Sequence, residues 1–395
     1  MYSILLLIIY IAFISLGLPD SLLGSAWPVM RQEFQVPLSY AGIISMIISG
    51  GTILSSLMSD RLTKKLGTGL VTAVSVFLTA AALFGFSAST QFYMLCIWAV
   101  PYGLGAGAID AALNNYVAIH YSSRHMSWLH CFWGVGTIIS PYIMSYAITR
   151  PFSWNGGYRI VSVIQLAITA LLFFCLPLWK KAGNTDGESD NDKSSASGGL
   201  LNALRIKGVS QVLAGFFAYC AAESTVGLWA SSYLVQARNI PAKQAASFAS
   251  LFFIGITAGR FLSGLVTERL GDRKLIRIGS LTAAFGILCI ALPISASWFS
   301  LCGFIIIGLG CAPVYPSIVH STPYNFGKEN SQAIIGLQMA CAYVGSTFMP
   351  PLFGLIANHI NIWLLPLFLA IFILLLLFMT ERLNIAIPRS HQIPE

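Results

Sequence analysis

Apolar runs of about 20 residues, the length at which a helix crosses a hydrocarbon core, recur from one end of the chain to the other, with polar residues gathered in the stretches between them. Twelve such runs stand at 4–26, 39–59, 69–88, 91–118, 127–149, 158–179, 208–234, 246–266, 275–294, 298–319, 330–357 and 361–380. Each predicts a transmembrane helix, spans 1 to 12. The one long polar stretch, KKAGNTDGESDNDKSSASGG at 180–199, is rich in Gly, Ser, Asn and Asp and reads as a flexible linker. It divides six spans from six: an N-terminal half at 1–180, a linker at 181–207 and a C-terminal half with a short tail at 208–395.

Composition agrees with this pattern. Of the 395 residues 56% are hydrophobic and 9% charged, against roughly 25% charged in a soluble domain. The net charge of +8 would suggest nucleic acid in a soluble protein, but here its placement matters more than its sum. With both termini cytoplasmic, sixteen basic residues fall inside and five (Arg31, Arg150, Arg159, Arg238, Lys243) outside, so topology in a cell membrane accounts for the excess without nucleic acid. All eight cysteines lie in predicted spans without metal-site spacing and read as packing residues. The first span lacks a basic leader and a cleavage pattern, so it is expected to be retained.

The halves repeat. Gly103-Leu-Gly in span 4 matches Gly308-Leu-Gly in span 10 at an offset of 205; Gly136 and Pro141 match Gly345 and Pro350 at 209; Asp20 and Gly24 match Glu223 and Gly227 at 203. After spans 2 and 8, SDRLTKKLG and TERLGDRK place Asp60-Arg61 and Glu268-Arg269 at an offset of 208. Two related six-helix halves are the pattern of a transporter that rocks one half against the other.

These residues resemble the major facilitator superfamily over essentially the whole chain. The loop motif after spans 2 and 8 is similar to that family's G-x-x-x-[DN]-R-x-G-[RK]-[RK], although Ser56 and Thr63 stand at glycine positions in the first copy. The resemblance implies an all-α membrane protein of twelve helices in two pseudo-symmetric halves. Small residues near the motif permit close helix approach, and Asp60, Arg61, Arg260, Glu268 and Arg269 are the expected cytoplasmic gate. Within the family, GLGAGAIDAALNNYVA (103–118), MSWLHCFWGVGTIISP (126–141) and Asp20 resemble the fucose:proton symporter and sugar-permease branch. The G-P-x-x-G-G element of drug antiporters is replaced by SPYIMS at Ser140.

Three acidic residues, Asp20, Asp110 and Glu223, lie inside apolar spans. A carboxylate there costs about 2.5–3.5 kcal/mol on insertion scales, so it is expected to face a cavity and to act. Gly103, Gly107, Asp110 and Asn114 form one helical stripe, and antiparallel packing of spans 4 and 5 places His130 and Trp133 beside it. Carboxylate, amide, imidazole and indole suit a sugar, whose hydroxyls need directed donors and acceptors and whose apolar face stacks on a ring. The expected substrate contacts are therefore Asp110, Asn114, Asn115, His130 and Trp133, with Trp229, Tyr315 and Gln338 from the second half. Pro19 cannot donate to the Ser15 carbonyl, so span 1 is expected to loosen beside Asp20, with Gly17 and Gly24 leaving room for neighbours. Burial favours the neutral form of a carboxyl, which makes Asp20, Asp110 and Glu223 the expected proton-coupling groups. The resemblance implies Asp20 as the proton site and Asp110 as the link to substrate.

The expected activity is symport of a sugar or polyol with protons by alternating access. Carboxylates serve sodium as well, so the coupling ion stays open. An organic-anion carrier using Arg260, an exporter of amphipathic drugs or metabolites, and a sensor with a transporter fold are the other readings. No nucleophile set, phosphate loop or metal spacing points to an enzyme, a cofactor or a metal, and no obligatory protein partner is indicated.

Overall fold

The computed structural model describes residues 2–36, 40–151, 153–179, 200–240, 242–292 and 297–387. Among them are twelve helical segments long and apolar enough to cross a membrane: Ile4–Trp27, Tyr40–Leu66, Thr68–Ser87, Phe92–His120, Ser123–Ile148, Ser153–Phe174, Val209–Ala230, Leu251–Leu270, Asp272–Ala291, Trp298–His320, Lys328–His359 and Ile362–Ala386. Each overlaps one predicted span. The fold is all-α, and most of the expected linker lies outside the described residues; within its last part Leu200–Arg205 is a short helix.

The chain forms two compact units. One comprises Met1–Tyr116 with Leu129–Gly199; the other comprises Val117–Trp128 with Leu200–Glu395. The turn joining spans 4 and 5 thus groups with the second unit.

Glycine contacts fix the register of the repeat. In the first unit a side chain at Gly103 would meet the Ile48 carbonyl and Gly51; in the second, one at Gly308 would meet the Phe252 carbonyl and Gly255. Spans 2 and 4 therefore cross as spans 8 and 10 do, with offsets of 204 and 205. Gly136 packs on Ile14 and Leu18 of span 1, and Gly345 on Phe217 and Ala221 of span 7, at offsets of 209 and 203. Backbones this close exclude a Cβ, the means by which helices gain contact in lipid, where no hydrophobic force drives them together.

This register corrects the pairing of the charged motifs. An offset of 204 aligns Lys64-Lys65-Leu66-Gly67 with Glu268-Arg269-Leu270-Gly271, and sets Gly264, not Glu268, opposite Asp60. Nor are the motifs loops. Span 2 stays helical to Leu66 and span 8 to Leu270, and a single glycine turns the chain in each case, Gly67 at φ 78° and Gly271 at φ 73°. A residue with a side chain pays steric strain there, which glycine avoids.

Span 1 is helical over Tyr2–Gly17 and again over Leu22–Glu33. Between them the hydrogen bonds tighten to i→i+3, Asp20 N to Gly17 O and Leu22 N to Pro19 O, the pattern of a 3₁₀ turn. Span 7 has Ala222 at the matching position and runs unbroken over Val209–Arg238.

Candidate functional site

The break in span 1 leaves Asp20 exposed. Its Oδ1 accepts the Tyr102 hydroxyl of span 4 at 3.1 Å, and its Oδ2 accepts the Trp133 indole N–H of span 5 at 2.9 Å. Tyr102 is buried. The close crossing of Gly17 with Gly136 and the Trp133 backbone carries Trp133 to this height on span 1. One exposed carboxylate thus gathers donors from two other helices, and charge-assisted bonds of this kind are the stronger class.

One turn along span 5, His130 faces span 4. The Asn114 amide nitrogen donates to Asp110 Oδ1 at 2.8 Å and to the Asp110 carbonyl at 2.9 Å. The Asn114 oxygen lies 3.0 Å from His130 Nε2. Because the Asn114 nitrogen is committed to Asp110, its oxygen can only accept, so His130 carries its proton on Nε2. Asp110, Asn114 and His130 are 6%, 0% and 5% exposed, and Phe13 meets the imidazole edge-on. Asn115 is buried on the adjacent face of span 4.

The two acidic groups are joined through span 5: Trp133 reaches Asp20, and His130, three residues away, reaches Asn114 and through it Asp110. On span 4, Tyr102 and Asp110 are eight residues apart, about 12 Å of helical rise, so Asp20 and Asp110 sit at different levels. Trp133, expected in the same slab as Asp110, is instead the partner of Asp20.

In the second unit Glu223 pairs with Arg260 at 3.2 Å, their side chains 22% and 5% exposed, and Tyr219 lies against both. Arg260, expected at a cytoplasmic gate, is therefore held inside the unit by the carboxylate of span 7. Tyr315 occupies the repeat position of Asp110, donates to Met339 Sδ at 3.0 Å and packs on Phe216 and Tyr219. The Trp229 indole donates to the Pro350 carbonyl at 2.8 Å, with its ring on Phe353. Gln338 is fully buried against Thr322, at 3.0 and 3.2 Å. The polar atoms of Trp229 and Gln338, expected to meet substrate, are thus satisfied by their own unit.

Of the other residues expected at a gate, Asp60 pairs with Lys64 on its own helix at 2.9 Å, while Arg61 and Arg269 are exposed. Glu268 accepts from Arg124 at 2.6 Å and from Ser122 at 3.0 Å. Asp272 accepts from Ser123 at 2.5 Å and lies 2.6 Å from His320 Nδ1, whose Nε2 faces the Tyr121 carbonyl at 3.2 Å. Ser122, Ser123, Arg124 and Asp272 are absent from the sequence expectation. Nothing marked them, because polar residues next to a turn between apolar spans are what any loop contains. Tyr102 escaped for a different reason: an aromatic in a glycine-rich span reads as packing. Among the described residues no cluster of three or more His, Cys, Asp or Glu is placed to hold a metal.

A family model described as Major Facilitator Superfamily matches residues 9–248 and 211–391. The chain is 23% identical over 387 residues to Bypass of stop codon protein 6 of Saccharomyces cerevisiae, covering 90% of this chain and 78% of the relative. It is 22% identical over 315 residues to the Glucose/mannose transporter GlcP of Bacillus subtilis, covering 78% of this chain and 77% of that one. The solved structure of the E. coli Fucose:proton symporter FucP matches with a TM-score of 0.76 at 18% identity, over 96% of this chain and 98% of that one. At that identity the likeness is one of fold.

Proposed function

The chain belongs to the major facilitator superfamily, and from that premise we propose that this multi-pass cell-membrane transporter carries a sugar or similar polyol together with protons, its termini on the cytoplasmic side. The observation that carries the reading is the pair of polar clusters on spans 1, 4 and 5: an exposed carboxylate, Asp20, and the buried series Asp110, Asn114 and His130. Among the described residues of the first unit, Thr52, Ser56, Thr72 and Ser162 instead bond backbone carbonyls.

The chemistry divides between the clusters. Asp110, Asn114 and His130 offer acceptors and donors in fixed directions, which a polyol requires, and the half-buried Trp133 ring offers a face for the apolar side of a pyranose. Asp20 exchanges the proton. While ionised it accepts from both Tyr102 and Trp133; once protonated, one oxygen becomes a donor and these bonds rearrange, the Tyr102 hydroxyl being able to turn and accept. Because Trp133 stands one turn from His130, loading the proton is felt by the groups that hold substrate. The organic-anion reading is less favoured because Arg260 already carries a carboxylate partner, Glu223.

The test is uptake of a labelled sugar panel into proteoliposomes, with an inward proton gradient, with a sodium gradient and with neither. Concentrative uptake of at least one sugar, driven by protons, is expected. Asp20→Asn should abolish accumulation while leaving equilibrium counterflow. Absence of sugar-dependent proton movement refutes the symport reading, and an Asp20→Asn protein that still concentrates sugar refutes the assignment of the proton to Asp20.

A further inference from the structure

Asp20 is exposed and lies in the break of span 1, and the break has two parts. Pro19 has no N–H to give the carbonyl of Ser15. A backbone carbonyl stranded within an apolar span is costly, and something must satisfy it. The group that does so comes from span 6: the Gln165 side-chain nitrogen donates to Ser15 O at 2.7 Å. Gln165 is 1% exposed and Ser15 fully buried, so water cannot take its place without rearrangement. The second unit supplies the contrast. There Ala222 replaces Pro19 in register, span 7 continues without a break, and the acid at the Asp20 position, Glu223, turns to Arg260.

We propose that Gln165 is a positioning residue for Asp20: by holding the carbonyl that Pro19 leaves over, it keeps span 1 open at residues 18–21 and aims the carboxylate at Tyr102 and Trp133. The hinge stands on geometry alone; its consequence for transport rests on the reading of Asp20 as the proton site.

Hydrogen exchange by mass spectrometry on the purified full-length protein tests the hinge, with peptides covering residues 15–25. Gln165→Met keeps the side-chain length and removes the donor. Exchange across the break should accelerate roughly 5- to 150-fold, the equivalent of one buried acceptor left unsatisfied. Pro19→Ala returns an N–H to position 19, so in Pro19→Ala/Gln165→Met exchange should fall back to or below the wild-type rate. In proteoliposomes Gln165→Met should lose proton-driven accumulation at least tenfold while keeping counterflow. The double variant should recover exchange protection but not accumulation, because the closed helix carries the carboxylate away from Tyr102 and Trp133.

Unchanged exchange in Gln165→Met, or no slowing when Pro19→Ala is added to it, overturns the proposal. If Gln165→Met does not fold, the double variant must, and its failure to fold has the same force. If the wild-type protein moves no sugar, the exchange result still decides the hinge, and only the transport reading falls.

Discussion

Asn114 is the residue whose replacement asks most of the site. Its side chain is fully buried, its nitrogen bonds Asp110 and its oxygen faces His130. Asn114→Leu keeps the approximate volume and deletes both bonds, removing one partner from a carboxyl and one from an imidazole. Each such loss at a buried group costs about 1–3 kcal/mol, so the variant should lose roughly 2–6 kcal/mol of stability, read as a lowered unfolding midpoint in detergent micelles. Asn114→Asp is the sharper perturbation, since it keeps the shape and the acceptor but sets two carboxyls where one faced an amide. The exchange of roles, Asp110→Asn with Asn114→Asp, restores a donor opposite an acceptor. That double variant should regain most of the stability, with a coupling of about 0.5–3 kcal/mol between the positions. It moves the acid by one turn, so transport should stay impaired by at least tenfold. If the exchanged pair is no more stable than Asn114→Asp alone, Asp110 and Asn114 do not hydrogen-bond in the working protein, and the reasoning built on the buried series fails.

Other outcomes follow from the packing. Arg260→Met leaves the partly buried Glu223 carboxylate without its cation and should cost up to about 3–5 kcal/mol; adding Glu223→Gln should recover much of this, as judged by yield and unfolding midpoint. Gly103→Val and Gly308→Val press a side chain against a backbone carbonyl in the same register of each unit, and both should abolish a monodisperse peak on size-exclusion chromatography. Gly24→Ala, with nothing within 4 Å of an added Cβ, should leave the unfolding midpoint unchanged or raised by the equivalent of about 0.4–1 kcal/mol.

The fold was legible because its signal is redundant. Every span is a predominantly apolar run of about 20 residues or more, and the halves repeat in glycines that packing requires at Gly103 and Gly308 and at Gly136 and Gly345. The charged motif misled for the opposite reason: Asp-Arg and Glu-Arg look alike, and nothing in the sequence says that the helices end at Gly67 and Gly271. Of the site, Asp110, Asn114 and His130 were legible as one group because helical spacing and antiparallel neighbours are simple geometry. Trp229 and Gln338 were not, because the sequence does not reveal that Pro350 and Thr322 take up their polar atoms. Gln165 carried no signal at all, since the carbonyl it serves lies 150 residues away and is exposed to need only by Pro19.

The register of the repeat turns the two units into a controlled comparison. Tyr315 stands for Asp110, Val319 for Asn114, Met339 for His130, Ala342 for Trp133 and Ala222 for Pro19. The contact between spans 4 and 5 that runs through Asn114 in one unit is remade in the other by Tyr315 on Met339. Packing is therefore common to both units, whereas the exposed acid, the amide and imidazole series and the helix break belong to the first alone. The acid that is shared, Glu223, is matched with a cation, which removes the need for a mobile proton to neutralise it. On this comparison the helix break, rather than the presence of an acid, separates an exposed carboxylate from one that holds two helices together.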